Sequence, residues 1–108
     1  MGIFSALFGK TDNSQLSEAI RNGAFLVDVR TPQEFSAGSV KGAVNIPLDK
    51  LQSQLSRFRD RKNIVVFCMS GGRSSQARSI LEKNGFQNVI NGGTWHNVSQ
   101  IAGEQNEE

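Results

Sequence analysis

The sequence predicts an α/β domain whose central, mainly parallel sheet is flanked by helices. Segments with apolar residues at helical spacing alternate with short apolar runs typical of buried strands, and glycines separate many of them. Strands that are separated by helices become parallel neighbours through right-handed crossovers. With 108 residues and no internal repeat, the chain has the length of one domain with one core.

The first helix and the first strand are predicted between residues 12 and 29. A polar residue at positions 12–14 can cap a helix whose apolar positions are Leu16, Ala19 and Ile20. Gly23 then supplies a C-terminal stop. The apolar run 25–29 is predicted to be a buried strand.

A second, short helix is predicted to begin at Pro32. Thr31 is a favourable N-cap residue, proline is favoured at the first helical position, and Glu34 completes a capping box. We expect this helix to end near Gly38. Residues 43–46 have the pattern of the next strand.

The second half of the chain continues the alternation of helix and strand. Leucines and a phenylalanine at helical spacing predict a helix over 48–58, and the apolar run 63–67 predicts a buried parallel strand. A helix over 74–83 follows, and Gly85 marks its end. Residues 88–90 form a short predicted strand that enters a pair of glycines.

The only cysteine, Cys68, follows the third apolar run and begins a glycine-rich loop that leads into a helix. A cysteine after such a run is, by itself, most often a core residue. The loop indicates a reactive cysteine instead. Its glycines allow successive amides to turn toward one point, and the N-terminus of the following helix makes that point favourable for an anion. A helix N-terminus and a nearby cation, here Arg73, both lower a thiol pKa. The carboxyl end of a parallel strand is also where ligands bind in open sheets.

Three segments, in this order, carry a family resemblance. They are the segment 26–35 with Asp28 and Glu34, the segment 42–47, and the loop 68–74. In these segments the chain resembles the single-domain rhodaneses, and the resemblance extends from Ser14 to Trp95. It implies a rhodanese-like three-layer fold and a thiosulfate:cyanide sulfurtransferase type of activity without a cofactor.

The resemblance implies a mechanism in which the cysteine carries sulfur. Cys68 would take a sulfane sulfur from a small anionic donor such as thiosulfate, forming a persulfide by covalent catalysis. The sulfur would then pass to a thiophilic acceptor, either cyanide or a thiol, including a protein thiol. The only histidine, His96, lies beyond the last predicted strand, and no base is required when the nucleophile is already a thiolate.

The resemblance also implies which residues form the site. Cys68 would be the catalytic residue, and the active loop that binds substrate would be Met69, Ser70, Gly71, Gly72, Arg73 and Ser74. Asp28, Arg30 and Glu34 would support it. Buried Asp28 would require hydrogen bonds or a cation, and Arg30 could pair with it, with Glu34 or with an anionic substrate. Ser74 and Glu34 also have capping roles open to them.

Two other functions are compatible with the same cysteine loop. Cysteine phosphatases and arsenate reductases use a thiolate in an anion cradle, but they generally have five residues between cysteine and arginine, and here Cys68 and Arg73 are separated by four. A second cysteine, needed by reductases with an intramolecular resolving thiol, is absent from the sequence. Alternatively, the chain is a sulfur-relay binding module that delivers the persulfide sulfur to a protein partner.

Composition narrows the partners and the compartment. A formal net charge of +2 gives little support to nucleic-acid binding, and the basic residues between 57 and 62 lack an interleaved aromatic platform. No apolar stretch has the length of a membrane span. One cysteine and one histidine leave too few soft ligands for a metal site. A single cysteine also forms no internal disulfide, so a reducing, cytoplasmic location fits best.

The predicted domain organisation is simple. Residues 1–13 form an apolar N-terminal segment, interpreted as a packing segment because it lacks the features of a signal peptide. It could contribute a strand at Ile3-Phe4, or a helix over 3–8 that docks on the sheet or associates with another chain. Residues 14–102 form the rhodanese-like domain, and residues 103–108 form a polar C-terminal tail.

Overall fold

The computed structural model describes residues 13–106, in which helices and strands alternate as predicted. In chain order the elements are α1 (Asn13–Arg21), β1 (Phe25–Asp28), α2 (Pro32–Ala37), β2 (Val44–Asn45), a 3-10 helical segment (Leu48–Phe58), β3 (Ile64–Cys68), α3 (Gly72–Lys83), β4 (Val89–Thr94) and α4 (Trp95–Asn106). The predicted N-terminal segment lies outside the described residues, except for Asn13.

The four strands form one sheet in the order β2-β1-β3-β4, and every neighbouring pair is parallel. β3 is central, and all five of its residues are buried. This is expected of a strand that has neighbours on both sides and helices on both faces. The predicted α/β fold with a central parallel sheet flanked by helices is confirmed.

The two faces of the sheet support two separate cores. Side chains of β3 alternate between them, with Ile64, Val66 and Cys68 in one core and Val65 and Phe67 in the other. The 3-10 segment and α3 cover the first core with Leu51, Phe58, Ala77 and Leu81. Helices α1 and α4 cover the second core with Leu16, Ala19, Val98 and Ile101. The result is the predicted three-layer arrangement.

The helix predicted over 48–58 is present, but its helix type is 3-10 and it is not continuous. It is a 3-10 segment in two parts, separated by non-helical backbone angles at Gln54 (φ −125°, ψ 29°). Its apolar positions are three, four and three residues apart. Each step of three keeps two side chains on one face of a 3-10 helix, and the step of four spans the non-helical residue Gln54. Leu51 and Phe58 are therefore buried, as the spacing predicts.

The end of the chain also differs from the expectation. β4 continues through the two glycines to Thr94, and α4 then runs to Asn106, so residues 103–106 of the predicted polar tail are helical. Gly92 permits this packing, because a Cβ there would lie 2.7 Å from Cγ2 of Val98 and 3.0 Å from Cγ1 of Val65. The Thr94 hydroxyl caps α4 by accepting the amide of Asn97 at 3.0 Å. Among the helices of residues 13–106, none is long and apolar enough to cross a membrane.

Candidate active site

Cys68 lies at the carboxyl edge of the sheet, where three strands end together. It is the last residue of β3, its side chain is completely buried, and its register partner on β4 is Thr94. On the other side, Phe67 pairs with Asp28, the last residue of β1. The apolar run therefore brings the cysteine to the edge at which ligands bind in parallel sheets.

The loop after Cys68 folds back over the sulfur. The amides of Gly71 and Ser74 donate to Sγ at 3.0 and 3.4 Å, and the Ser74 Oγ lies 3.5 Å from it. Gly71 has φ +100°, a left-handed conformation that glycine adopts without strain and that starts α3 at this point. Of the amides expected to form the cradle, those of Gly71 and Ser74 are directed at Sγ.

These donors affect the ionisation of the cysteine. Burial raises the pKa of the Cys68 thiol, because it removes the charged form from water. The hydroxyl and amide of Ser74, followed by the amides of Ser70 and Gly71, outweigh burial by hydrogen bonding to the thiolate. The pKa of Cys68 therefore lies below its usual value, as a nucleophilic thiolate requires.

Arg73 forms an ion pair with Glu34. Its guanidinium forms two parallel hydrogen bonds with the Glu34 carboxylate, at 2.7 and 3.1 Å. Arg73 and the Thr31 amide lower the pKa of Glu34 to about 2, and Glu34 raises the pKa of Arg73, with a contribution from the Cys68 thiolate. The pair offsets the unfavourable position of a cation in the first turn of α3.

Glu34 combines this ion pair with its capping role. Its amide donates to the Thr31 hydroxyl at 3.2 Å, and its carboxylate accepts the Thr31 amide at 3.0 Å, which is the predicted capping box. The same carboxylate reaches Arg73, 39 residues further along the chain. Glu34 therefore ties α2 to the cysteine loop.

Asp28 and Arg30 form a buried ion pair beside the loop. The Asp28 carboxylate accepts Nη2 of Arg30 at 2.7 Å, and the exposed fractions of the two side chains are 0% and 2%. It also accepts the Arg30 amide at 2.9 Å and the Ser39 hydroxyl at 2.6 Å. Arg30 Nη2 donates further to the carbonyl of Gly38 at 2.7 Å. The hydrogen bonds and the cation that a buried Asp28 requires are thus present.

The remaining loop residues are exposed to solvent. Met69 is 46% exposed, and Ser70 and Gly72 are exposed as well. His96 is exposed at the start of α4, where its ring packs on Trp95 with 3.9 Å between centroids. The contacts of Cys68 described above do not involve this histidine.

Sequence reasoning missed three residues of the site. Ser39 completes the hydrogen bonding of Asp28, and Trp95 lies 5.0 Å from the Arg30 guanidinium. Asn91 accepts the Ser74 hydroxyl at 2.7 Å. The sequence around Asn91 indicates a turn rather than a site residue, because asparagine before two glycines is typical of a turn.

The described residues also contain a cavity outside the cysteine loop. This cavity, of about 310 Å³, has Asn63, Arg78, Ile90 and Asn91 in its lining, and it does not include Cys68. Residues 13–106 contain no group of three or more side chains that would hold a metal ion. The chemistry of the described residues therefore centres on the cysteine loop.

The arrangement suits a nucleophile that acquires a negatively charged outer atom. The buried Cys68 sulfur accepts two backbone amides, and both amides belong to the N-terminal turn of α3. The loop is compact, with four residues between Cys68 and Arg73.

Comparison with known proteins gives a consistent family. A family model described as rhodanese-like domain matches residues 12–94. A sulfurtransferase of Allochromatium vinosum is 30% identical over 87 residues, covering 79% of this chain and 81% of the relative. Thiosulfate sulfurtransferase PspE of Escherichia coli is 36% identical over 69 residues, covering 62% of this chain and 66% of the relative.

Solved structures agree with the sequence relatives. A rhodanese with anions from E. coli has a TM-score of 0.63 and 32% identity, covering 69% of this chain and 91% of that chain. The chain spans between about half and about four-fifths of the length of the first curated relatives it matches.

Proposed function

The chain belongs to the rhodanese-like domain family, and we propose that it is a sulfurtransferase that carries a sulfane sulfur as a persulfide on Cys68. The observation that supports this most is the loop around the sulfur, where the amides of Gly71 and Ser74 point at Sγ. Two relatives are named as sulfurtransferases, one of them as a thiosulfate sulfurtransferase. Thiosulfate is therefore the proposed donor.

The first half-reaction forms the persulfide. The Cys68 thiolate attacks the outer sulfur of thiosulfate, the sulfur–sulfur bond of thiosulfate breaks, and sulfite leaves with the bonding electron pair. The new S–S bond joins Cys68 to a terminal sulfur that carries the negative charge. The amides of Gly71 and Ser74 point at Sγ, one bond from that charge, and in this proposal they stabilise it as preorganised donors together with the N-terminus of α3.

The second half-reaction returns the thiolate. A nucleophilic acceptor, cyanide or a thiolate, attacks the terminal sulfur, and Cys68 leaves as the thiolate with the electron pair of the broken S–S bond. Cyanide becomes thiocyanate, and a thiolate becomes a persulfide. The lowered pKa of Cys68 serves here too, because a stable thiolate is a better leaving group.

The neighbouring charged residues have supporting roles in this proposal. Arg73 supplies positive charge at the loop and attracts an anionic donor, while Glu34 fixes its position. The buried pair of Asp28 and Arg30 braces the edge of the sheet from which the loop departs. None of these residues is assigned a proton-transfer step.

A protein acceptor is the second candidate for the outgoing sulfur. Met69 follows the nucleophile and is the exposed large apolar side chain of the described residues, at 46% exposure. A flexible methionine is well suited to contact with varied partner surfaces. A relay module would form the persulfide normally, but it would pass sulfur faster to a protein dithiol than to cyanide.

The proposed function is tested by measuring thiocyanate formed from thiosulfate and cyanide. The wild type should turn over, and Cys68→Ser should not, because a serine hydroxyl is not ionised at neutral pH. Ser79→Ala, on the exposed face of α3, is a matched control that should retain activity. Substantial turnover by Cys68→Ser would contradict the mechanism, and hydrolysis of p-nitrophenyl phosphate without sulfur transfer would favour a phosphatase.

A further inference from the structure

The hydroxyl of Ser74 has a second partner besides the cysteine sulfur, and this partner is Asn91. We propose that Asn91 is a positioning residue that competes with Cys68 for the hydroxyl proton of Ser74 and so sets how readily the thiol ionises. The inference deepens the proposed function, since it concerns the nucleophile of that reaction. It is nevertheless measurable without any sulfur donor.

The orientation of the Asn91 amide follows from its other neighbour. The amide of Gly93 lies 2.9 Å from Oδ1 of Asn91. A backbone N–H can only donate, so the side-chain atom that faces it has to be the oxygen. The Ser74 Oγ is 2.7 Å from this same oxygen, so Ser74 must be the donor in that contact.

Several acceptors therefore compete for the proton of the Ser74 hydroxyl. A hydroxyl has one proton, and the completely buried Ser74 has acceptors at Asn91 Oδ1 (2.7 Å) and the Gly71 carbonyl (3.1 Å). The Cys68 sulfur is 3.5 Å from the same oxygen. While Ser74 donates to Asn91, it presents lone pairs to the sulfur, and these can accept an S–H but cannot stabilise a thiolate.

Ionisation of Cys68 reverses this arrangement. The thiol proton leaves to solvent, and the Ser74 O–H, which stays intact, rotates from Asn91 to the negatively charged sulfur. Asn91 Oδ1 keeps its hydrogen bond from Gly93, so it is not left without a partner. The rotation exchanges one hydrogen bond for another. The Ser74 hydroxyl must give up its bond to Asn91 before it can donate to the thiolate, so Asn91 makes ionisation of Cys68 less favourable.

The charged groups around the sulfur do not take part in this exchange. Arg73, of the same loop, is paired with Glu34 of α2, and both keep their charges around neutral pH. Asp28 and Arg30, at the end of β1, neutralise each other. His96, from α4, is exposed and packs on Trp95. The described hydrogen bonds of the Ser74 hydroxyl involve none of these groups.

Two substitutions at Asn91 should shift the reactivity of Cys68 in opposite directions. Asn91→Ala removes the competing acceptor, so at a pH below the thiol pKa the rate of alkylation by iodoacetamide should rise roughly two- to tenfold, the value of one neutral hydrogen bond. Asn91→Asp keeps an acceptor for Gly93 and Ser74 but adds a negative charge, so alkylation should be slower than in the wild type. General damage to the loop would not give opposite signs.

The full pH profile of alkylation is measured for both variants and for two controls. Asn88→Ala removes the other asparagine side chain of this strand region, which bonds to the Lys62 carbonyl and not to the cysteine loop, and it should leave the profile unchanged. In a Ser74→Ala background, Asn91→Ala should not change the alkylation profile further, because the hydroxyl proton for which Asn91 and Cys68 compete is absent. Melting temperatures verify that each variant is folded.

The results separate this inference from the proposed function. Opposite shifts that vanish without the Ser74 hydroxyl support the role of Asn91, whether or not thiosulfate proves to be the donor. Shifts in the same direction, no shift, or an Asn91→Ala effect that persists without that hydroxyl would overturn it.

Discussion

Replacing Asp28 with alanine should destabilise the domain by about 3–5 kcal/mol, the usual cost of leaving one partner of a buried ion pair without its counter-charge. The Arg30 side chain that remains is only 2% exposed, so water cannot solvate the abandoned guanidinium. The Ser39 hydroxyl and the Arg30 amide lose their acceptor at the same time. For a domain of about 100 residues this corresponds to a melting temperature lower by about 12 °C or more.

The assay is urea unfolding of the full chain, followed by tryptophan fluorescence and circular dichroism. Glu82→Ala is the matched control, because it breaks an ion pair of similar length with Arg78 (3.0 Å) whose side chains are 45% and 49% exposed. An exposed pair of this kind contributes about 0.5 kcal/mol at most. The two variants should therefore differ in their free energy of unfolding because one ion pair is buried and the other is exposed.

A double substitution tests the physical reason. In Asp28→Ala/Arg30→Met the buried positive charge is removed together with its partner, so the double variant should be more stable than Asp28→Ala alone. Two results would refute the reasoning. One is an Asp28→Ala variant no less stable than Glu82→Ala, and the other is a double variant less stable than the single one.

Three further predictions concern the surroundings of the cysteine. Arg73→Ala should lower kcat/KM for thiosulfate by roughly 10- to 100-fold, as expected for a charge-assisted hydrogen bond, and an unchanged value would argue against a role in donor binding. The pKa of Glu34 is lowered from 4.5 to about 2, so its ion pair stabilises the fold above pH 4.5 and this stabilisation is lost as pH falls toward 2. The stability difference between wild type and Glu34→Gln should shrink over that window in acid titrations, and a constant difference would contradict the assignment. His96→Ala should keep most of the thiocyanate-forming activity, because the hydrogen bonds that lower the pKa of Cys68 do not involve this histidine, and a loss above tenfold would assign the histidine a direct role.

Local signals in the sequence were sufficient for most of the fold. Thr31, Pro32 and Glu34 predicted a capped helix, and the observed helix has both hydrogen bonds of the capping box. The apolar run before Cys68 predicted a buried parallel strand, and all five residues of the observed strand Ile64–Cys68 are buried. Each of these signals lies within a few residues of the structure it specifies.

Features that depend on distant residues were not accessible in this way. The second bond of Glu34 joins it to Arg73, and Asn91 reaches Ser74 from a strand 17 residues away. Gly92 resembles a turn residue in the sequence, but in the fold it makes room for Val98 of α4. For this reason β4 was predicted too short, and the helix after it was not predicted.

The central claim is that Cys68 carries sulfur, and intact mass spectrometry tests it most directly. The reduced protein is measured before and after thiosulfate, with Cys68→Ser alongside and dithiothreitol added afterwards. The account predicts a gain of one sulfur atom in the wild type alone, which dithiothreitol reverses. The same gain in Cys68→Ser, or no gain in a folded wild type under conditions where its thiol is fully alkylated by iodoacetamide, would contradict it.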